Sequence, residues 1–129
     1  MAAGAANFSD DNPRAAIPFY DVVIKQDEKN TDAYLMRANS NAKLGLQLQQ
    51  SDGVDRFLAM STYTMASLDY IRVIALDPDN QSAYLGAVAT TAQSGGCDLA
   101  KSIREMHEKK FGRTTTQQEL AAVIDKKCS

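Results

Sequence analysis

Apolar positions along this chain recur at intervals of three and four residues, the period of helices that bury one face. Ala16, Tyr20, Val23 and Ile24 follow that spacing behind Pro13. Pro13 fits a first helical position, where its missing N–H costs nothing, with Asp11 or Asn12 as the N-cap. Pro18 lies close enough to the first turn to be tolerated, and DEKN ends the helix. A second helix opens at Thr31 or Asp32, carries Ala33, Tyr34, Ala38 and Ala42, and continues through LGLQLQQ. Ser51–Gly53 is a turn. A long third helix, VDRFLAMSTYTMASLDYIRVIAL, has Phe57, Leu58, Met65, Leu68, Ile71 and Leu76 among its apolar members and stops before Pro78. A fourth spans Gln81 to Gln93 and is closed by SGG, where glycine can take a left-handed conformation. A fifth, CDLAKSIREMHEKKF, ends at Gly112. A sixth follows TTT, with Thr116 and Glu119 as a capping box and Leu120, Val123 and Ile124 as its apolar face. No segment alternates with period two. The expected class is all-α.

Two phrases repeat fifty residues apart. VIKQDEKNTDAYL (Val23–Leu35) and VIALDPDNQSAYL (Val73–Leu85) share seven of thirteen positions. The match extends outward: Ala16 with Ala66, Tyr20 with Tyr70, Ala42 with Ala92, Gly45 with Gly95. Self-similarity at a fixed period marks stacked helical units, none of which can bury its apolar face alone. The AYL at each unit's opening, Ala66 and Tyr70 inside the following helix, the LDPDN after it and the small Ala100 resemble the tetratricopeptide repeat (TPR). The resemblance covers about Ala15–Phe111 and implies a right-handed superhelix of about six antiparallel helices in a single domain over residues 1–129. Within it, 13–111 would form the repeats and 116–128 a C-terminal capping helix.

Departures from the family pattern carry information. A TPR unit is about 34 residues long, so a period of fifty leaves about sixteen extra between Gly45 and Ala66. These make roughly two added turns on each of the second and third helices, an overlong hairpin with its tip at Gln49–Asp55; an irregular loop is the alternative. Val88 stands where the family has a small residue, predicting looser packing there. By this reading, the chain begins at the second helix of a unit.

Composition excludes several functions. A net charge of −2 gives no reason to expect nucleic acid or an anionic membrane, and no stretch has the ~20 apolar residues that span a bilayer. MAAGAANFSDD lacks a basic region and an apolar core, so it is not an intact signal peptide. Residues 1–12 read as disordered or tag-like, on a chain whose signal has been removed. Catalytic chemistry has little to stand on. His107 is the single histidine and reads as a solvated residue in a Lys- and Glu-rich helix, no Cys/His metal spacing exists, and SGGCD lacks the phosphate-loop lysine. TTT reads as a helix cap. No enzyme activity, metal or cofactor is expected.

Cys97 opens the fifth helix and Cys128 ends the sixth, and the two helices are similar in length. Packed antiparallel, they bring the thiols together. The pair reads as either a disulfide, which implies a periplasmic or secreted protein, or two buried thiols in a cytoplasmic one. The family resemblance implies that the concave face, from the first helix of each unit, holds a partner peptide or helix. Here that face comprises Asp32, Leu35, Asn39, Lys43, Ser82, Leu85, Ala89 and Gln93. Leu35 and Ala89 replace the family's basic and amide residues, so its chaperone-tail clamp is not expected. Leu35 and Leu85 also suit simple packing on neighbouring helices. A second expectation is a self-associating subunit, or accessory, of an envelope or secretion assembly. It would contact its partners through the hairpin with Leu46, Leu48, Phe57, Leu58 and Met60, unless these pack on one another. A cytoplasmic TPR chaperone of secretion substrates is a third.

Overall fold

The computed structural model describes residues 12–50 and 55–128. These form six helices: α1 (Pro13–Gln26), α2 (Thr31–Gln49), α3 (Asp55–Leu76), α4 (Gln81–Gln93), α5 (Cys97–Phe111) and α6 (Thr115–Cys128). No strand occurs among the described residues. The expected hairpin tip falls mainly outside them, as does nearly all of the expected tag-like segment. The flanking helices α2 and α3 are the longest, at 19 and 22 residues.

The repeated phrase folds twice into the same turn. Asp27 and Asp77 leave α1 and α3 with their N–H groups still donating to Val23 and Val73 carbonyls. Each Asp side chain then accepts from the N–H two residues on, Lys29 in one copy and Asp79 in the other. Asn30 and Asn80 follow as N-caps of α2 and α4, one residue before the expected start, and accept from Ala33 and Ala83 N–H at 3.0 and 3.3 Å. Asn12 caps α1 in the same way. The first turn of α6 differs from expectation. Thr114, not Thr116, accepts from the Gln117 N–H at 3.3 Å, and both Thr116 and Glu119 lie inside the helix.

Small residues let the helices approach and tyrosines fill what remains. Ala16, Ala33, Ala38, Ala66, Ala83, Ala87 and Ala100 are fully buried, with Tyr20, Tyr34, Tyr63, Tyr70 and Tyr84 among them. Gly45 of α2 faces the Tyr63 ring and Gly86 of α4 faces the Tyr70 ring, so closely that neither site has room for a methyl group. Gly95, the repeat partner of Gly45, instead sits in a turn at φ +89° with open space beside it. The sequence correspondence holds at the duplicated turns and fails at the inserted helical length. Val88 is fully buried in the main core. A second cluster of Leu44, Leu48, Ala59 and Tyr63, with Ile17 at its edge, fills the extended part of the hairpin.

The inward face of α3 is not the one its large aliphatic residues suggest. Ala59, Tyr63, Ala66, Tyr70, Val73 and Ile74 are buried, whereas Phe57, Leu58, Met65, Leu68 and Leu76 are exposed. The close α2–α3 approach admits small side chains and flat rings, and it turns the bulkier aliphatics outward.

His107 is likewise not a surface residue: it has no solvent exposure. It continues the buried row of Ala100 and Ile103 on α5 and packs between the Tyr84 and Phe111 rings. Its Nε2–H donates to Gln81 Oε1 at 3.1 Å, which leaves Nδ1 buried without a partner. Burial holds its pKa below the usual 6.5, with the Gln117 side chain acting more weakly the other way. Gln117 of α6 donates to the Arg104 carbonyl and to Glu108, tying the start of α6 to the end of α5. At the opposite end Cys97 and Cys128 form a disulfide, their Cα atoms 5.7 Å apart.

Candidate interaction site

The outward residues of α3 line up along it. At 100° per residue, Phe57, Leu58, Ser61, Met65, Leu68, Arg72, Ala75 and Leu76 share one face. Phe57 is 76% exposed and Leu68 62%. A run of large apolar side chains this exposed is uncommon on a lone folded chain.

The C-terminal half of this row forms one wall of a groove of about 830 Å³. The other wall is α1, through Ile17, Asp21 and Ile24, with Glu28 of the turn that follows it, and the floor is α2, through Tyr34, Arg37 and Asn41. α1 and α3 each pack on α2, and the groove is the gap between them. Arg37 fixes its depth. Its Nε and one terminal nitrogen donate to the two oxygens of Asp69 at 2.8 Å each, and the other terminal nitrogen donates to Asp21 at 2.8 Å. The bonds to Asp69, then to Asp21, hold the guanidinium pKa above its ordinary value despite partial burial. One cation thus crosslinks all three helices. Arg72 lies over the Tyr34 ring, 5.3 Å from its centre.

The expected concave-face residues lie elsewhere. Asp32, Leu35, Asn39 and Lys43 run along α2 about half a turn around from the groove floor. Asp32 and Ser82 are exposed in the first turns of α2 and α4, and Lys43 and Ala89 are half-buried. Leu35 and Leu85 pack partly against the main core. Asn39 accepts a 2.5 Å hydrogen bond from the Tyr70 hydroxyl, whose pKa is pushed up to about 12 by burial first and by Asp69 second. Gln93 accepts from Gln49 Nε2 at 3.4 Å, and both residues border a smaller hollow of about 370 Å³ with Arg56, Ala59, Met60 and Tyr63. Of the hairpin residues, Phe57, Leu58, Met60 and Leu46 are exposed, whereas Leu48 is only 7% exposed and packs inward.

The α1–α3 groove was not anticipated from sequence. The signal for it was present in the excess of large aliphatic residues on α3 over what its buried face could use. Among the described residues, no cluster of three or more His, Cys, Asp or Glu could hold a metal ion, and no helix is long and apolar enough to cross a membrane. No protein-family model, curated protein or solved structure matches the chain.

Proposed function

We propose that this protein is a non-catalytic interaction module of TPR-like design that holds a helical partner against α3 and α1. The exposed apolar row of α3, continuous with the groove, carries this reading. Leaving that row in water forgoes the burial free energy of several large side chains, about 1.5–3 kcal/mol each when fully covered. Support for the TPR-like design comes from the duplicated Asp–Asn turn and from alanine and tyrosine packing at matched positions fifty residues apart. The Cys97–Cys128 disulfide favours an oxidising compartment, such as a bacterial periplasm, and hence an accessory role in an envelope assembly.

Crosslinking and capture from the native host tests the reading. Leu68→Glu should abolish capture while leaving helical circular dichroism unchanged. Loss with Leu35→Glu/Leu85→Glu alone would move the site to the expected concave face. Capture indifferent to all three changes would remove the interaction reading.

A further inference from the structure

The exposed row of α3 has a symmetry that a hetero-partner does not require. Leu58, Ser61, Met65, Leu68, Arg72 and Ala75 follow one another at spacings of three, four, three, four and three, the seam of a two-helix coiled coil. The seam is also balanced about its own midpoint, between Ala66 and Ser67. Run antiparallel against itself, it sets Met65 opposite Leu68, the small Ser61 opposite the long Arg72, and Leu58 opposite the small Ala75. Large side chains meet small ones or fit each other along the whole length, about 26 Å by helical rise.

We infer that the occupant of this surface is a second copy of the chain, docked α3 against α3 in antiparallel fashion about a two-fold axis near Ala66–Ser67. The inference rests on the interaction reading above and names its partner. Such a contact is isologous: each copy gives its Phe57–Leu58 end to the Ile71–Leu76 end of the other, where the α1–α3 groove widens the surface. The area suffices. Phe57, Leu58, Met65, Leu68 and Leu76 are each two-fifths or more exposed. At on the order of 100 Å² apiece, two copies cover about 1,000 Å², the size at which specific interfaces begin, before the α1 wall is added. Charge does not oppose it. Arg72 is the lone charged residue of the seam, and in this register the two copies of it lie roughly 16 Å apart, beyond the screening length at physiological salt. Asp69, beside the seam, is already neutralised by Arg37.

Sedimentation equilibrium of the full chain from about 1 to about 300 μM tests the inference. The expected result is a reversible monomer–dimer equilibrium. Leu68→Glu should weaken it at least about tenfold with unchanged circular dichroism and melting, because Leu68 is 62% exposed in the monomer. Register is read separately by cysteine pairing. The Ser61→Cys/Arg72→Cys double variant should form a 61–72 disulfide between chains under mild oxidation. The two sites are too far apart on one helix to bond within a chain, and neither single variant should crosslink. A chain that stays monomeric throughout, a dimer that survives Leu68→Glu, or 61–61 and 72–72 crosslinks would each overturn the inference. If the chain is monomeric but its capture of a host protein still requires Leu68, this inference falls and the interaction reading stands. If capture is also indifferent to Leu68→Glu and Leu35→Glu/Leu85→Glu, both fall.

Discussion

Replacing Gly86 by alanine sets two opposed effects against each other. Gly86 lies inside α4 with ordinary helical geometry, so removing glycine's backbone freedom should by itself stabilise the helix by about 1 kcal/mol. A methyl group there, however, would sit 2.5 Å from Cε1 and Cζ of Tyr70. Carbon atoms in contact need about 3.5 Å, so the ring or the helix must give by roughly 1 Å. The ring is not free to do so: Tyr70 is 4% exposed and its hydroxyl is hydrogen-bonded to Asn39. Overpacking of this kind costs about 1–3 kcal/mol, and a strained or lost hydrogen bond about 1 more. The expected net loss is about 1–3 kcal/mol, a fall in melting temperature of roughly 4–10 °C. Urea unfolding should show a shifted midpoint with an unchanged slope. The companion Gly45→Ala meets Tyr63 at 2.9 Å, a milder overlap, and should change stability by under about 1 kcal/mol. In Tyr70→Leu background, Gly86→Ala should become neutral or stabilising, giving a coupling of about 1–4 kcal/mol. If Gly86→Ala is as stable as wild type and additive with Tyr70→Leu, the close approach of α3 and α4 through this pair is not as described.

Tyr20 is fully buried with an unpartnered hydroxyl, so Tyr20→Phe should be neutral or stabilise by up to about 1 kcal/mol, whereas Tyr70→Phe should cost about 1; thermal melts of the two variants separate them. Breaking Cys97–Cys128 by Cys97→Ser/Cys128→Ser opens a 31-residue loop and should lower unfolding free energy by about 3–4 kcal/mol in the chain-entropy model, read by denaturant titration. His107, whose folded pKa lies below 6.5, keeps the folded state neutral while the unfolded chain takes up a proton. Its contribution is therefore complete above about pH 6.5 and declines as pH falls from there toward the folded pKa, by at most about 1.4 kcal/mol per unit; His107→Gln should flatten that decline in pH-dependent melts. Arg37→Met strands Asp69, which is 6% exposed, and should cost about 2–4 kcal/mol, whereas Asp21→Asn, on the exposed arm of the same network, should cost under about 1.

The helices were legible in the sequence because their ends are written locally. An asparagine cap, a proline at the first position and the Asp–Asn turns each act within four residues, and the fifty-residue repeat fixed two junctions at once. The closeness of Cys97 and Cys128 followed from two helices of similar length packed antiparallel, whereas the bond between them did not, because two reduced thiols fit the same spacing. What could not be read was which side of α3 faces in, since apolar residues occur all around it. Its two flanking helices approach so closely that Ala59, Ala66 and the tyrosines win the interior over the larger Leu68 and Met65. His107 was misplaced for a related reason: its Lys and Glu neighbours suggested solvent. Its true register with Ala100, Ile103 and Phe111, at spacings of three and four, was present but outweighed by local polarity. The groove depends on α1 and α3 standing apart across α2, a relation between elements distant in sequence that no local pattern encodes.

The two outermost described helices are secured unequally. α6 is held by a covalent bond at one end and by the buried Gln117 at the other, while α1 packs on α2 and is pinned by Arg37 through a carboxylate that water reaches. Native-state opening therefore has a direction. Of the two outermost described helices, α1 should detach and exchange its amide protons with solvent ahead of α6. Because α1 is also one wall of the groove, anything seated there contacts the more readily opened of these two helices, and a bound partner would protect α1 amides.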